Sequence, residues 1–242
     1  MTSTKDNSSY TLIYHPFSPF ARKVFMYAIE LGISELFTLR KVVVAPVHYP
    51  GWSDDVPFVG AFNPLAKIPT LAIGQDDGFF GSATICAYVS ALARQRGINV
   101  VGDESAAVDR VFWRRRTIEA CVDGMLDAEI LVAYEQRIRK EKGLYMDSWV
   151  EGQRQKVQRG ISRLEQECQR GSLKVLGAHE RADIADCAVA VVLGFLDIRE
   201  VEWRSTAPGL DSWYESVKQR PSFLQTNPLA DWTGKPEEKN RL

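Results

Sequence analysis

The sequence predicts two domains of different class, α/β followed by all-α: a small α/β domain over residues 10–94 and an all-helical domain over residues 104–228. Three observations carry this. Up to Arg94, strand-like and helix-like segments follow the order β-α-β-loop-β-β-α. From Glu104 onward, apolar residues recur at helical spacing. Between them, residues 95–103 show little patterning and read as a linker. A strand–helix–strand crossover implies parallel pairing, and a following hairpin adds antiparallel strands.

The elements follow in order. Tyr10-Thr11-Leu12-Ile13-Tyr14 is β-prone, and Leu39 to Val44 is a second strand. Between them Ser18-Pro19 opens an amphipathic helix, Phe20 to Leu31, that Gly32 closes. Serine at N-cap, proline at N1 and glycine past the end are strong helix boundaries. Residues 45–66 are rich in Pro, Gly, Trp and Asp and read as a loop with at most a short helix. Thr70 to Ile73 and Gly78-Phe79-Phe80 form a hairpin around Gln75-Asp76-Asp77, and Gly81-Ser82 opens a helix to about Arg94. In the second domain, Val108, Val111, Phe112, Ile118, Val122, Met125 and Leu126 predict one apolar face, and Val150, Val157, Ile161, Leu164 and Cys168 another. Asp183 to Ile198 is apolar nearly all round, as a central helix should be. Leu210 to Lys218 is amphipathic and stops before Pro221, and residues 229–242 read as a loose tail. Glu180-Arg181-Ala182-Asp183 stands where a capping box would precede the central helix.

Composition narrows the function. With 242 residues and 45% hydrophobic content, the chain can bury one sizeable core or two small ones. A net charge of −1 gives no field for nucleic acid or anionic membrane. The polar start lacks the apolar core of a signal peptide, and Cys187 to Leu196 is too short to span a bilayer. The 4 cysteines match no zinc or redox spacing, and the 3 histidines are not paired as ligands, so no metal is expected. Buried free thiols fit a reducing cytoplasm.

The most informative stretch is Asn63-Pro64-Leu65-Ala66-Lys67-Ile68-Pro69-Thr70-Leu71. It sets Pro69 at the mouth of an apolar strand, a position suited to a residue that cannot donate to a ladder. Only X-Pro bonds reach the cis form cheaply, so a cis Ile68–Pro69 corner is expected. It would leave the backbone of Ile68 unpaired, as a dock for an extended peptide.

Three segments in this order, Ser18-Pro19-Phe20-Ala21-Arg22-Lys23-Val24, Lys67-Ile68-Pro69-Thr70-Leu71 and Gly81-Ser82-Ala83-Thr84-Ile85, resemble the cytosolic glutathione transferase superfamily over residues 10–225, in its serine-type form. The resemblance implies a thioredoxin-like domain with a C-terminal helical bundle, a cytoplasmic homodimer, and a role in detoxification or secondary metabolism. It implies glutathione as substrate or cofactor. Ile68 would pair with its cysteinyl backbone, Pro69 would set that geometry, and Ser82 would hold its γ-glutamyl carboxylate at a helix N-terminus. Gly81 departs from the pattern, which has an acid there. Lys41, His48 and Lys67 are candidates for the glycyl carboxylate. Ser18 would stabilise the glutathione thiolate for attack on an apolar electrophile, or it is an ordinary N-cap. Tyr14 is a rival hydroxyl and His15 a rival base; packing and a structural turn are the alternatives for each. Phe17, Phe20 and Trp113 are candidates for the second-substrate wall. Arg115, amid the apolar face, either faces the electrophile pocket or a dimer cleft, or bridges to Glu119 at i+4. Isomerisation or elimination at the same site, and a non-catalytic binding protein with Gly81 as its support, are the alternative functions.

Overall fold

A computed structural model describes residues 9–48, 53–75, 77–100, 109–173, 175–177, 180–229 and 232. The chain divides into two compact units, Met1–Val100 with Gln225–Leu242, and Val101–Leu224. Residues 225–229 and Trp232 therefore group with the first unit.

The first unit is built on β1 (Tyr10–Tyr14), β2 (Phe37–Lys41), β3 (Thr70–Ile73) and β4 (Asp77–Phe80), in the spatial order β2-β1-β3-β4. β2 runs parallel to β1, while β3 and β4 are antiparallel to their neighbours. Helix α1 (Pro19–Glu30) supplies the crossover, and α3 (Ser82–Gln95) follows the hairpin. Gly32, at φ +68°, ends α1 in the left-handed region that glycine adopts without a Cβ clash. The short α2 (Val56–Gly60) is the one helical piece of the long loop among the described residues.

β2 lies earlier than expected. The apolar run continues through Val44, but pairing stops where Lys41 meets Tyr14, the last residue of β1. Val42 still donates its N–H to the Tyr14 carbonyl at 2.9 Å, and the Val43 N–H turns instead to the Asp55 carboxylate at 2.7 Å. Apolarity thus buries Val42 without extending the ladder. Val42 joins Ile13, Val59 and Ala72 in a core cluster, against which the Ile68 side chain also packs.

The second unit contains α4 (Arg110–Tyr134), α5 (Asp147–Gln169), α6 (Ile184–Ile198), α7 (Pro208–Val217) and the short α8 (Pro221–Gln225), whose last residue falls in the first unit. α4 continues through a π-turn at Glu135–Arg139. α4 and α5 cross closely at Gly160, where a Cβ would lie 2.4 Å from the Met125 side chain. Glu165 of α5 accepts the first N–H groups of α7, at 3.3 Å from Gly209 and 2.8 Å from Leu210. That satisfies donors which every helix start leaves unpaired. Central α6 is buried without a break from Ala185 to Gly194, as its composition predicts.

The apolar face of α4 is shorter than expected. Ile118, Val122, Met125 and Leu126 are buried, but Val111 is 66% exposed and Phe112 only half-buried; Val108 lies outside the described residues. The capping box also differs. Asp183 is itself the N-cap, accepting from Ala185 and Asp186, and the Asp186 side chain accepts from the Asp183 N–H. Glu180 instead accepts from the Gly177 N–H at 2.7 Å. No helix among the described residues is long and apolar enough to cross a membrane.

Candidate functional site

The sheet register brings the three sequence segments to one end of the sheet. Ile13 lies opposite Thr70, and Thr70 opposite Phe80. The turn to Ser18 therefore leaves β1 where Pro69 enters β3 and where β4 passes to Ser82. β1 to β4 is two strand spacings, roughly 10 Å. An extended tripeptide spans about the same length.

Ser18 is half-buried and caps α1, its Oγ accepting from the Ala21 N–H at 3.3 Å. Its own N–H donates to the His15 carbonyl at 2.8 Å, and its carbonyl accepts from Arg22 at 2.9 Å. The cap bond uses a lone pair of Oγ and leaves the hydroxyl proton available to donate. Capping and donation are compatible here, not exclusive. Tyr14 is fully buried, with its ring stacked on Trp232. His15 accepts from the Phe17 N–H at Nδ1 and holds the turn.

The Ile68–Pro69 bond is cis. Among the described residues, neither the N–H nor the C=O of Ile68 has a backbone partner. The loop that presents it is braced by a residue to which sequence reasoning gave no role. Asn63 is 1% exposed; its Nδ2 donates to the Lys67 carbonyl at 2.9 Å and to Thr70 Oγ1 at 3.1 Å, while its Oδ1 accepts from the Leu65 N–H at 3.0 Å. An asparagine directly before a proline at a loop entrance was the available signal. Asn63→Ala strands the Leu65 donor and removes two bonds from the loop. Leaving a buried polar group unpaired costs about 1–3 kcal/mol, so a loss of about 2–3 kcal/mol is expected in urea denaturation. A loss near zero would show that the loop holds without this brace.

Ser82 is buried as the first residue of α3, and Gly81 is its N-cap with φ +84° and ψ 117°. L-residues rarely adopt that conformation, whereas glycine does so freely. The glycine thus meets a backbone requirement where the family pattern has an acid. Lys41 and Lys67 are exposed, Lys41 at the same sheet end beside Tyr14. His48 is exposed in the following loop, with its Nδ1 at 3.1 Å from Ser53 Oγ. Phe17 and Phe20 flank the Ser18 turn, both half-buried. Trp113, in the second unit, is 58% exposed.

Arg115 requires a correction. Its guanidinium spans Asp183, Asp186 at 2.7 Å and the Ser172 carbonyl, so all three nitrogens are engaged within the helical unit. It is an anchor for the start of α6, not a free cation for a pocket or a cleft. The bridge to Glu119 does not form either, because Glu119 pairs with Arg116 at 2.6 Å.

The four cysteines are free. Burial and the nearby Glu165 and Glu167 carboxylates push the Cys168 thiol up to about 12, and burial also raises Cys121. Neither is a nucleophile near neutral pH, since the thiolate is the reactive form.

A four-stranded thioredoxin-like sheet with a cis-proline at the mouth of β3, in a chain that continues into a helical unit, defines a class of two-domain proteins by architecture. The chain matches the glutathione S-transferase N-terminal domain over residues 17–92 and the C-terminal domain over residues 147–216; it belongs to the glutathione S-transferase family. The GST-like protein YibF of Escherichia coli (strain K12) is 28% identical over 213 residues, covering 87% of this chain and 95% of YibF. A glutathione transferase family member from Pseudomonas fluorescens Pf-5, solved with bound glutathione, is 32% identical with a TM-score of 0.74, covering 95% of this chain and all of that one. A glutathione S-transferase from Methylobacillus flagellatus KT, also with glutathione bound, is 28% identical with a TM-score of 0.72 and covers 91% of this chain and all of that one.

Proposed function

We propose that the protein binds glutathione along the end of its sheet and stabilises the thiolate at Ser18 for attack on an apolar electrophile. One observation carries this most: the unpaired Ile68 backbone lies between the Ser18 turn and the N-terminus of α3, across a span that fits an extended tripeptide. The Pseudomonas relative, 32% identical as solved with glutathione and 33% identical as solved with S-(propanoic acid)-glutathione, supports the same ligand class.

The roles follow from the chemistry of each part. The Ile68 N–H and C=O pair with the cysteinyl backbone. Ser82 and the unpaired N–H groups of the first turn of α3 receive the γ-glutamyl carboxylate, with the helix dipole favouring its charge. The start of α1 lies under the sulfur, where the Ser18 hydroxyl donates and the same dipole favours an anion. The thiolate then forms the new bond to the electrophilic carbon, by addition or by displacing a leaving group that departs with the electron pair. Phe17 and Phe20, beside Ser18, provide apolar surface for that partner.

Titration calorimetry with glutathione tests the dock. Wild type binds, and Ser82→Ala weakens binding roughly 10- to 100-fold, the size of one hydrogen bond to a charged group. Absence of binding to wild type removes this reading; equal binding by both removes Ser82 from it.

A further inference from the structure

We propose that Thr226, Asn227 and Trp232 form a C-terminal strap that positions the turn carrying Ser18. The residues from 229 on read as loose in sequence, yet Trp232 is only 8% exposed. Its ring stacks on Tyr14 at 4.6 Å and on Phe25 at 5.7 Å. Its indole N–H donates to the Asn227 carbonyl at 3.2 Å, and the Thr226 hydroxyl, fully buried, accepts from Arg22 Nε at 3.3 Å.

The grip has a specific placement. Tyr14 is the last residue of β1, Arg22 stands one turn into α1, and Phe25 lies further along the same helix. Ser18 sits between these points. One indole ring thus contacts both the strand that leads into the turn and the helix that leaves it, and the Thr226 contact adds a third point. Within the turn, the bonds that hold Ser18 among the described residues are short and local, to His15, Ala21 and Arg22. Those bonds fix its shape but not the angle of α1 against β1, which sets where Oγ points. A displacement of about 1 Å at a reacting group can cost about a hundredfold in rate. Ile68 and Ser82 are carried by other strands and loops, so the strap acts on the thiolate side of the dock.

The catalytic consequence rests on the proposed role of Ser18, and the test separates the two. Amide hydrogen exchange is measured on the full chain without ligand, in wild type, Trp232→Ala and Trp232→Phe. Trp232→Ala is expected to speed exchange at Ser18 and Ala21 about tenfold, with Leu71 and Ala72 of β3 little changed, and Trp232→Phe to restore most of the protection. With glutathione, Trp232→Ala raises the bound thiol pKa by about one unit while binding changes by less than about threefold. Unchanged exchange at Ser18 and Ala21, or equal loss at β3, overturns the strap. If wild type leaves the bound thiol unshifted, the Ser18 reading fails and the exchange result alone decides the strap. Should Trp232→Ala not fold, Thr226→Val removes the hydroxyl that accepts from Arg22 and leaves Trp232 in place; local loosening at Ser18 supports the strap, and its absence overturns it.

Discussion

Arg115→Leu is expected to destabilise the helical unit by about 3–5 kcal/mol, the cost of breaking a buried ion pair from one side. Leucine replaces the stem of the arginine but donates no hydrogen bond. It leaves Asp183 and Asp186 facing each other at the start of α6, with side chains only 10% and 7% exposed. The loss depends on pH. Burial first, and then the neighbouring Asp183 charge, push the Asp186 carboxyl up to about 7 even with Arg115 present. A carboxyl raised above its unfolded value binds more protons in the native state. Its contribution to stability is therefore full below the ordinary carboxylate range and is lost as pH rises through about 7. Without the guanidinium the rise is larger, so the variant loses more at about pH 8 than at about pH 5. Asp186→Asn removes one of the two charges and flattens the slope. Urea denaturation followed by circular dichroism at both pH values checks this. A pH-independent loss below about 1 kcal/mol would mean the arginine is not the counter-charge for this pair.

The contrast between Arg115 and Ser18 shows what this sequence makes legible. Ser18-Pro19 and Gly32 are local signals, and α1 begins and ends where they stand. Strands β1 and β3 match their β-prone runs for the same reason. Arg115 is found on its helix face from periodicity, but its partner lies 68 residues away, so spacing along one helix points to Glu119 instead. The fault at β2 is similar in kind. Val42 to Val44 are as apolar as strand residues, but a strand extends only as far as its neighbour, and β1 ends at Tyr14.

Long-range packing explains the remaining differences. Nothing near Trp232 in sequence indicates burial, because its two stacking partners belong to the first strand and first helix. Val111 has helical spacing with buried residues yet is exposed, since periodicity gives the face and not how far along the helix the neighbours reach. Within the candidate site, the gathering of Ser18, Ile68 and Ser82 is implied by the family resemblance of their three segments, and the sheet register gives it a physical basis. The conformation of Gly81 is not implied. Its absence of an acid reads in sequence as a lost contact, whereas its φ of +84° makes glycine the residue that fits.

Ser18→Ala is expected to lower turnover of a generic aromatic electrophile roughly 10- to 100-fold near neutral pH while glutathione still binds. Bringing a free thiol from about 8.5 to about 6.5 requires roughly 2.7 kcal/mol of preference for the thiolate. One hydrogen bond to a charged acceptor contributes about 1.5–3 kcal/mol, so losing the Ser18 donor raises the bound thiol pKa by about 1–2 units. The same substitution removes the cap bond to Ala21 and costs about 1 kcal/mol of stability, a confounding effect. Ser18→Asp separates the two roles. Aspartate caps a helix as well as serine does, so stability is kept. As an ionised carboxylate it has no proton to donate and places a negative charge beside the sulfur, so the thiol pKa rises further and turnover falls below that of Ser18→Ala. Ultraviolet titration of the bound thiol in the three proteins, beside their denaturation curves, gives the answer. If turnover follows stability, recovering in Ser18→Asp, then Ser18 is a helix cap and nothing more.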